Sequence, residues 1–173
     1  MRVSVLVANV LIVFVLFVLA IHIGAGVYQA YATIGVAAGH LPQSAQTVPD
    51  EVWRGVVEFW SSGIHPACML AMIAIGALSW RSPRRWWAVA GLLFFVVALV
   101  ATALYFAPQA NALFVHRGAG LSSEQFIFQV RRWITLDRVR FLAGALSFLC
   151  FLKTLTMPVK GEAAQNAAST SLK

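Results

Sequence analysis

The sequence predicts an all-α fold, a four-helix transmembrane bundle with its N- and C-termini on the cytoplasmic side. Of the 173 residues, 60% are hydrophobic and only 11% are charged, and the mean hydropathy is +0.79. Soluble domains carry roughly 25% charged residues, so this chain lacks the polar surface that water requires. Its apolar residues fall into four runs, each long enough for an α-helix to cross about 30 Å of hydrocarbon. The alternating pattern of membrane β-strands is absent from the sequence.

The four runs predict a single transmembrane domain, residues 1–157, with spans at about 3–31, 64–80, 86–106 and 139–157. Arg2 followed by an apolar run is also typical of a signal peptide. The run is longer than the 7–15 residues of a signal's apolar region and no clean small-residue cleavage site follows it, so we expect a retained helix. Residues 158–173 are small and polar, and we expect them to be disordered.

The connections between the spans differ in length. The second is a short turn in which Pro83 ends a helix, and its paired tryptophans are typical of the membrane–water boundary. The first is long and contains residues 50–60, a predicted short helix with Val52, Val56 and Phe59 on one face.

The third connection is also long. Within it, Ser122 or Ser123 is predicted to cap a helix that runs directly into the fourth span.

The net charge of +7 comes from basic residues scattered between the apolar runs. This distribution does not form the basic stripe of a nucleic-acid-binding protein, and it fits anchors at the ends of membrane helices. The side of the termini carries seven Lys and Arg and the other side six. Basic residues in short loops favour the cytoplasmic side, and three of the seven lie in the compact turn at residues 81–85. We therefore expect cytoplasmic termini in a multi-pass protein of a bacterial inner membrane.

Polar residues are concentrated on the non-cytoplasmic side, which holds every histidine (His22, His40, His65 and His116) and five of the six acids. Helical spacing predicts four stripes that would meet at one depth, and these are His22–Gly26–Gln29, His65–Met69–Met72, Thr102–Tyr105–Gln109 and Trp133–Asp137–Arg140–Gly144. Ionisable side chains at membrane depth usually face the bundle interior and pair. The alternative interpretation is that these residues only cap helix ends at the headgroup level.

Asp137 and Arg140 have two interpretations of their own. An intrahelical ion pair would neutralise the fourth span as it enters lipid. Alternatively, the pair would orient a substrate oxygen or accept a proton.

Metal and cofactor binding are minor alternatives to a site without a cofactor. His65, Cys68, Met69 and Met72 share one helical face and carry soft ligands that suit copper(I). A haem b between His22 and His65 is also geometrically possible. Cys68 and Cys150 lie in apolar runs, and we expect free, buried thiols.

The fourth span and its lead-in, RRWITLDRVRFLAGALSFLCFL, resemble the anthrone oxygenase-like family of small four-helix membrane proteins. Trp133, Arg138 and Arg140 match that family's Trp followed by an Asn-Arg-x-Arg run, and Asp137 stands where the family usually has Asn. YFAPQANALF is similar to the element after the family's third helix, with Asn111 offset by a residue, and GAGVYQA loosely matches its first helix.

The resemblance implies a membrane oxidoreductase that oxidises a flat, apolar anthrone to a quinone with dioxygen and without a cofactor. The predicted site lies at the non-cytoplasmic end of the bundle. Its predicted catalytic residues are His22, His65, Asp137 and Arg140, and its predicted substrate-binding residues are Gln29, Tyr105, Asn111, Trp133 and Arg138.

The alternative function is a non-enzymatic membrane subunit or a haem- or copper-binding bundle. The expected partners are the lipid bilayer, a small apolar substrate, and a homo-oligomer or larger membrane complex. Close helix packing, within or between chains, would use Gly24, Gly26, Gly76, Gly91 and Gly144.

Overall fold

The structure is a computed structural model that describes residues 2–34, 39 and 49–157. Its α-helices are α1 (Arg2–Tyr28), α2 (Asp50–Ser61), α3 (Ile64–Leu78), α4 (Arg84–Ala101) and α5 (Ser123–Thr156). α1 continues as the π-helical segment Gln29–Ile34, and α4 continues through Thr102–Phe106, Ala107–Ala110 and Asn111–Val115. The described residues form no strand, which confirms the all-α prediction. His40 and the predicted disordered tail lie outside the described residues.

Three helices are long and apolar enough to cross a membrane, and they cover Val3–Tyr31, Arg84–Val115 and Ser123–Thr156. α3 is a shorter apolar helix of 15 residues, which at about 1.5 Å per residue spans about 22 Å. The helical bundle is therefore confirmed, and the three long helices make it suited to a membrane. The count of four spans and the side of the termini stay predictions.

α5 packs against α4 and α1, and α3 packs against α1 and α4. The core of this bundle is apolar and consists of Ile12, Val15, Val18, Leu19, Cys68, Ala71, Met72, Ile75, Ala88, Phe95 and Phe151. Its outward faces are apolar too, with Leu6, Leu70, Leu93 and Leu142 each at least 59% exposed. Such a continuous apolar exterior would be a liability in water and is what a lipid-facing surface requires.

Close approach between α4 and α5 depends on Gly91. A Cβ on Gly91 would lie 2.6 Å from the Phe151 ring, so no larger residue fits without a shift. Nearby, the Ser147 hydroxyl donates a hydrogen bond of 2.9 Å to the Gly91 carbonyl oxygen. Small residues and hydrogen-bonding hydroxyls are how membrane helices gain close contact.

Arg84 connects three helices at the end of the bundle that carries the termini. The Arg84 guanidinium donates to the Met157 carbonyl oxygen and to Asn9 Oδ1, both at 2.8 Å. It therefore satisfies part of the C-terminus of α5 while tying α4 to α1. Pro83 immediately precedes the first residue of α4, whereas α3 already ends at Leu78, so this proline begins a helix and does not end one as predicted.

A second apolar cluster lies at the opposite end and consists of Ile34, Trp53, Phe106, Leu113, Phe114, Phe126, Val130 and Trp133. Trp53 of α2 stacks on Phe114 with ring centroids 4.2 Å apart. The predicted short helix is thus present, and the residue that it buries is Trp53, which is not one of the three apolar residues named from the sequence. Trp53 is 2% exposed, whereas Val52 and Phe59 are 42% and 37% exposed, because the neighbour of α2 is an aromatic segment of α4's continuation. The side chain of Val56 is not among those described.

α5 begins at a capping box, in which Ser122 Oγ accepts from the Gln125 backbone and Gln125 Oε1 accepts from the Ser122 backbone. This confirms the predicted cap and the predicted continuity with the fourth span. With 34 residues, α5 is about 51 Å long, well beyond the roughly 30 Å of hydrocarbon in a bilayer. The N-terminal part of α5 contributes Phe126, Val130 and Trp133 to the second apolar cluster, which we call the far-end cluster.

Candidate functional site: a buried polar centre

Two histidines from different helices are in contact inside the bundle. His65 Nε2 of α3 lies 3.3 Å from His22 Nδ1 of α1, and their rings meet edge to face at a centroid distance of 5.4 Å. His65 is buried, and its Nδ1 lies 3.3 Å from the Ser62 carbonyl oxygen.

These contacts assign the protons of the histidine pair. A carbonyl oxygen only accepts, so in neutral His65 the proton sits on Nδ1 and is donated to Ser62. His65 Nε2 is then the acceptor, and His22 Nδ1 donates to it. In this tautomer His22 Nε2 carries no proton and is the basic position of the pair.

A buried ion pair lies on α5. Arg140 Nη2 is 2.7 Å and Arg140 Nε 2.9 Å from Asp137 Oδ1, and the two side chains are only 5% and 6% exposed. Arg140 Nη1 also donates to Thr102 Oγ1 at 3.0 Å, and that hydroxyl donates in turn to the Ala98 carbonyl oxygen at 2.7 Å. The guanidinium therefore has a fixed position between α5 and α4's continuation.

Two phenylalanine rings flank the guanidinium of Arg140. Its carbon lies 5.0 Å from the Phe106 ring centroid and 4.7 Å from that of Phe141. The ring of Phe141 also meets the His22 ring at 6.4 Å. Cation–π contacts within about 6 Å are attractive, and more so away from water. Phe141 thus connects the arginine to the histidine pair.

A small cavity lies between the histidine pair and Thr102. It measures about 10 Å³, which is close to the space that one water molecule occupies. Its walls are His22, His65, Phe95, Ala98, Leu99 and Thr102. Since Thr102 binds Arg140, the histidine pair and the ion pair form one polar centre.

The depth of the polar centre follows from the helix lengths. Thr102 follows Arg84 by 18 residues and Arg140 precedes Met157 by 17, so each lies about 25 Å from the Arg84 end at 1.5 Å per residue. Exposed Trp80 and Trp86 at the Arg84 end are typical of a membrane boundary. The centre therefore lies deep in the bundle, about 25 Å from its Arg84 end.

The structure brings the four predicted catalytic residues His22, His65, Asp137 and Arg140 into this centre, although their catalytic roles stay predictions. Thr102, Phe106 and Phe141 also belong to it. Thr102 was part of a predicted stripe, but no spacing rule indicates which aromatic ring will cover a guanidinium.

The predicted substrate-binding residues do not lie together in the structure. Gln29 and Trp133 are buried, and Trp133 Nε1 donates to the Phe106 carbonyl oxygen at 3.3 Å. Tyr105 lies outside the centre and lines an open pocket of about 240 Å³ with Gln109, Gln125, Phe128, Gln129 and Arg132. Asn111 is half-buried in a π-helical segment. Arg138 is exposed. It lies two positions before Arg140 on α5, and two helical positions place side chains on nearly opposite faces.

Two residues of the predicted metal-ligand set, Cys68 and Met72, belong to the apolar core of the bundle. Cys68 and Met72 are fully buried in the core cluster beside Val15 and Leu19. Within the described ranges, no group of three or more His, Cys, Asp and Glu side chains is placed to hold a metal ion. Cys68 and Cys150 are both free and buried, as expected.

Comparison with known proteins finds no protein-family model, no curated protein and no solved structure that matches the chain. The functional assignment therefore depends on the polar centre itself.

Proposed function

We propose that the protein is a four-span integral membrane protein with cytoplasmic termini, and that its polar centre oxidises a flat, apolar anthrone with dioxygen. The observation that carries this proposal is the sharing of one small cavity by the His22–His65 pair and the Arg140–Thr102 contact. An ion pair alone would serve to neutralise α5 in lipid. Burial of two contacting imidazoles beside it costs free energy in an apolar bundle, and this cost indicates a chemical role.

His22 is the proposed general base because it lines the cavity beside Thr102 and contacts His65, which in the assigned tautomer accepts from His22 Nδ1 and leaves Nε2 as its basic nitrogen. His65 holds that tautomer through its contact with His22 and with the Ser62 carbonyl. A positioned imidazole base contributes about 10²–10⁴-fold to the rate of proton abstraction.

Arg140 is the proposed group that binds the substrate's carbonyl oxygen. Proton loss from the anthrone places negative charge on that oxygen, and a guanidinium already held by Asp137 and Thr102 stabilises it without reorganising. Asp137 is thus a positioning residue for Arg140.

The proposed reaction balances with dioxygen as oxidant. His22 takes a proton from the methylene carbon, and the resulting carbanion adds to dioxygen. The peroxide anion formed takes the proton back from His22 and becomes a hydroperoxide on that carbon. Loss of a second proton with cleavage of the O–O bond gives the carbonyl and water. One oxygen atom of dioxygen ends in the quinone and the other in water.

Phe141 is the proposed gate for the substrate. The cavity of about 10 Å³ holds a water and no more. The half-buried ring of Phe141 lies over Arg140 and against Gly26 of α1. Rotation of this ring would open space between α1 and α5 for a flat molecule that arrives from the bilayer.

The test is quinone formation from unsubstituted anthrone by the purified full chain in detergent, with dioxygen uptake followed in parallel. We expect His22→Ala to lower turnover at least 100-fold and Arg140→Gln to lower it by a similar factor, while the exposed-histidine variant His116→Ala keeps it. Full turnover in both His22→Ala and His65→Ala would refute the assignment, as would equal quinone formation without protein.

A second candidate function is a haem- or copper-binding membrane subunit. Its copper form is favoured by the 3.3 Å separation of His22 Nδ1 and His65 Nε2, which suits two imidazole ligands of one copper(I) ion, whereas a haem would require the two rings to move apart. The visible absorption spectrum and metal content of the purified protein decide this candidate. A Soret band would indicate haem, and a colourless, copper-free protein would exclude both.

A further inference from the structure

An open groove lies between α3 and α4 at the Arg84 end of the bundle, far from the polar centre. It measures about 690 Å³, within the roughly 300–1,000 Å³ of ordinary ligand sites. Its inner walls are aliphatic and include Ile73, Val89 and Leu92, and its mouth carries Trp80 and Arg81. A Cβ on Gly76 would meet no atom within 4 Å, so this glycine leaves the groove open.

The mouth of the groove is strongly cationic. Arg81 lies on the turn between α3 and α4, and Arg85 is the second residue of α4. The sequence has no acid between Glu58 and Glu124. Among the residues that the structure describes, Arg81 has no hydrogen bond or ion pair. Arg85 does not line the groove, but it donates to the carbonyl oxygen of the lining residue Trp80 at 3.2 Å and lies over the Trp86 ring at 4.9 Å.

The mouth also lies at the expected headgroup level. Trp80 is 60% and Trp86 67% exposed, and tryptophan is enriched at the boundary between water and lipid. From the end of α3 at Leu78 the groove runs inward as far as Ile73, about 8 Å along the helix. It is therefore apolar where acyl chains lie and cationic where phosphates lie.

We propose that this groove is a binding site for an anionic phospholipid, with an acyl chain against Ile73, Gly76 and Leu92 and the phosphate at Arg81 and Arg85. Basic pockets between membrane helices on the cytoplasmic side bind such headgroups. A second copy of the chain fits less well, because a symmetric contact would bring the same arginines together without an acid to pair them. The proposal rests on the membrane position of the bundle and is independent of the proposed oxidation.

For the test, the full chain is first reconstituted into vesicles of phosphatidylcholine with or without phosphatidylglycerol. It is then extracted into detergent, and the lipid that it retains is measured by native mass spectrometry. The wild type is expected to retain one phosphatidylglycerol molecule and to show a rise in melting temperature with this lipid only. Gly76→Leu fills the groove and Arg81→Gln removes the free cation, and each is expected to lower lipid retention at least tenfold. Matched controls are Gly24→Leu, also at an open position, and Arg131→Gln, an exposed arginine of α5.

Equal retention in wild type and both groove variants would overturn the proposal, as would equal retention of phosphatidylcholine. Appearance of a dimer that Gly76→Leu abolishes would assign the groove to a second copy and would also overturn it. Extraction of the protein only by detergent checks membrane insertion in the same sample, so failure of lipid binding is distinguishable from failure of the membrane assignment.

Discussion

His65 Nε2 contacts His22 Nδ1 at 3.3 Å, although the two residues are 43 positions apart in the chain. The contact requires a fixed rotational register between α1 and α3, because a shift of one residue turns a helical side chain by about 100°. It also sets the tautomer of His22 through the Ser62 carbonyl. A substitution that rotates α1 or α3 about its axis would therefore break this contact, even where the substitution does not touch either histidine.

The buried pair Asp137–Arg140 should show strong coupling in a double-mutant cycle. Asp137→Leu and Arg140→Leu are each expected to cost about 3–5 kcal/mol, because each leaves the other charge buried alone. The double variant is expected to be more stable than either single one. Thermal unfolding in detergent measures the cycle, and additive losses would show that the two charges do not depend on each other.

The far-end cluster offers a comparison between two buried tryptophans. Trp133 Nε1 donates to the Phe106 carbonyl oxygen, whereas Trp53 Nε1 is buried without a hydrogen-bond partner in the described part of the chain. Both changes to Phe remove similar volume, so Trp133→Phe should lower the free energy of unfolding by about 0.5–1.5 kcal/mol more than Trp53→Phe. Chemical denaturation followed by circular dichroism measures both variants, and the reverse order would contradict the structure.

Gly26 should tolerate no side chain. A Cβ on Gly26 would overlap the Phe141 ring, whereas a Cβ on Gly24 meets nothing within 4 Å. Gly26→Ala is expected to cost about 1–3 kcal/mol through overpacking, and Gly24→Ala is expected to be harmless. Rescue of Gly26→Ala by Phe141→Ala in a melting experiment would identify the ring as the obstacle, and a failed rescue would argue against this contact.

Arg84 should not be replaceable by lysine. Its guanidinium serves Asn9 and Met157 at the same time through a planar fork, which an ammonium group cannot reproduce. Both Arg84→Lys and Arg84→Gln are expected to lower the melting temperature, with Lys recovering only a minor part of the loss. Arg85→Gln removes an exposed contact and is the control. A lysine variant as stable as the wild type would show that charge alone suffices.

Much of the helical architecture was predictable, because apolar length and the Ser122 cap are local signals. The register of α2 was not, since burial of Trp53 depends on a ring of Phe114 that is distant in sequence. The same division holds in the polar centre. Helical spacing indicated that His22, His65 and Arg140 share a depth, but the histidine contact and the Phe141 cover depend on rotation of whole helices.

The contacts that α5 makes with α4 have a consequence for biosynthesis. Arg84 is translated 73 residues before Met157, an interval of about 4–15 s at ribosomal rates of 5–20 residues per second. During that time α4 sits in the translocon or the bilayer without the α5 carbonyl and hydroxyl groups that later satisfy Arg84 and Gly91. At that stage Arg84 can pair with Asn9 of α1, which is already synthesised, but not with the α5 carbonyl oxygen. A ribosome that stalled before Met157 would leave an unfinished membrane segment open to quality-control proteases.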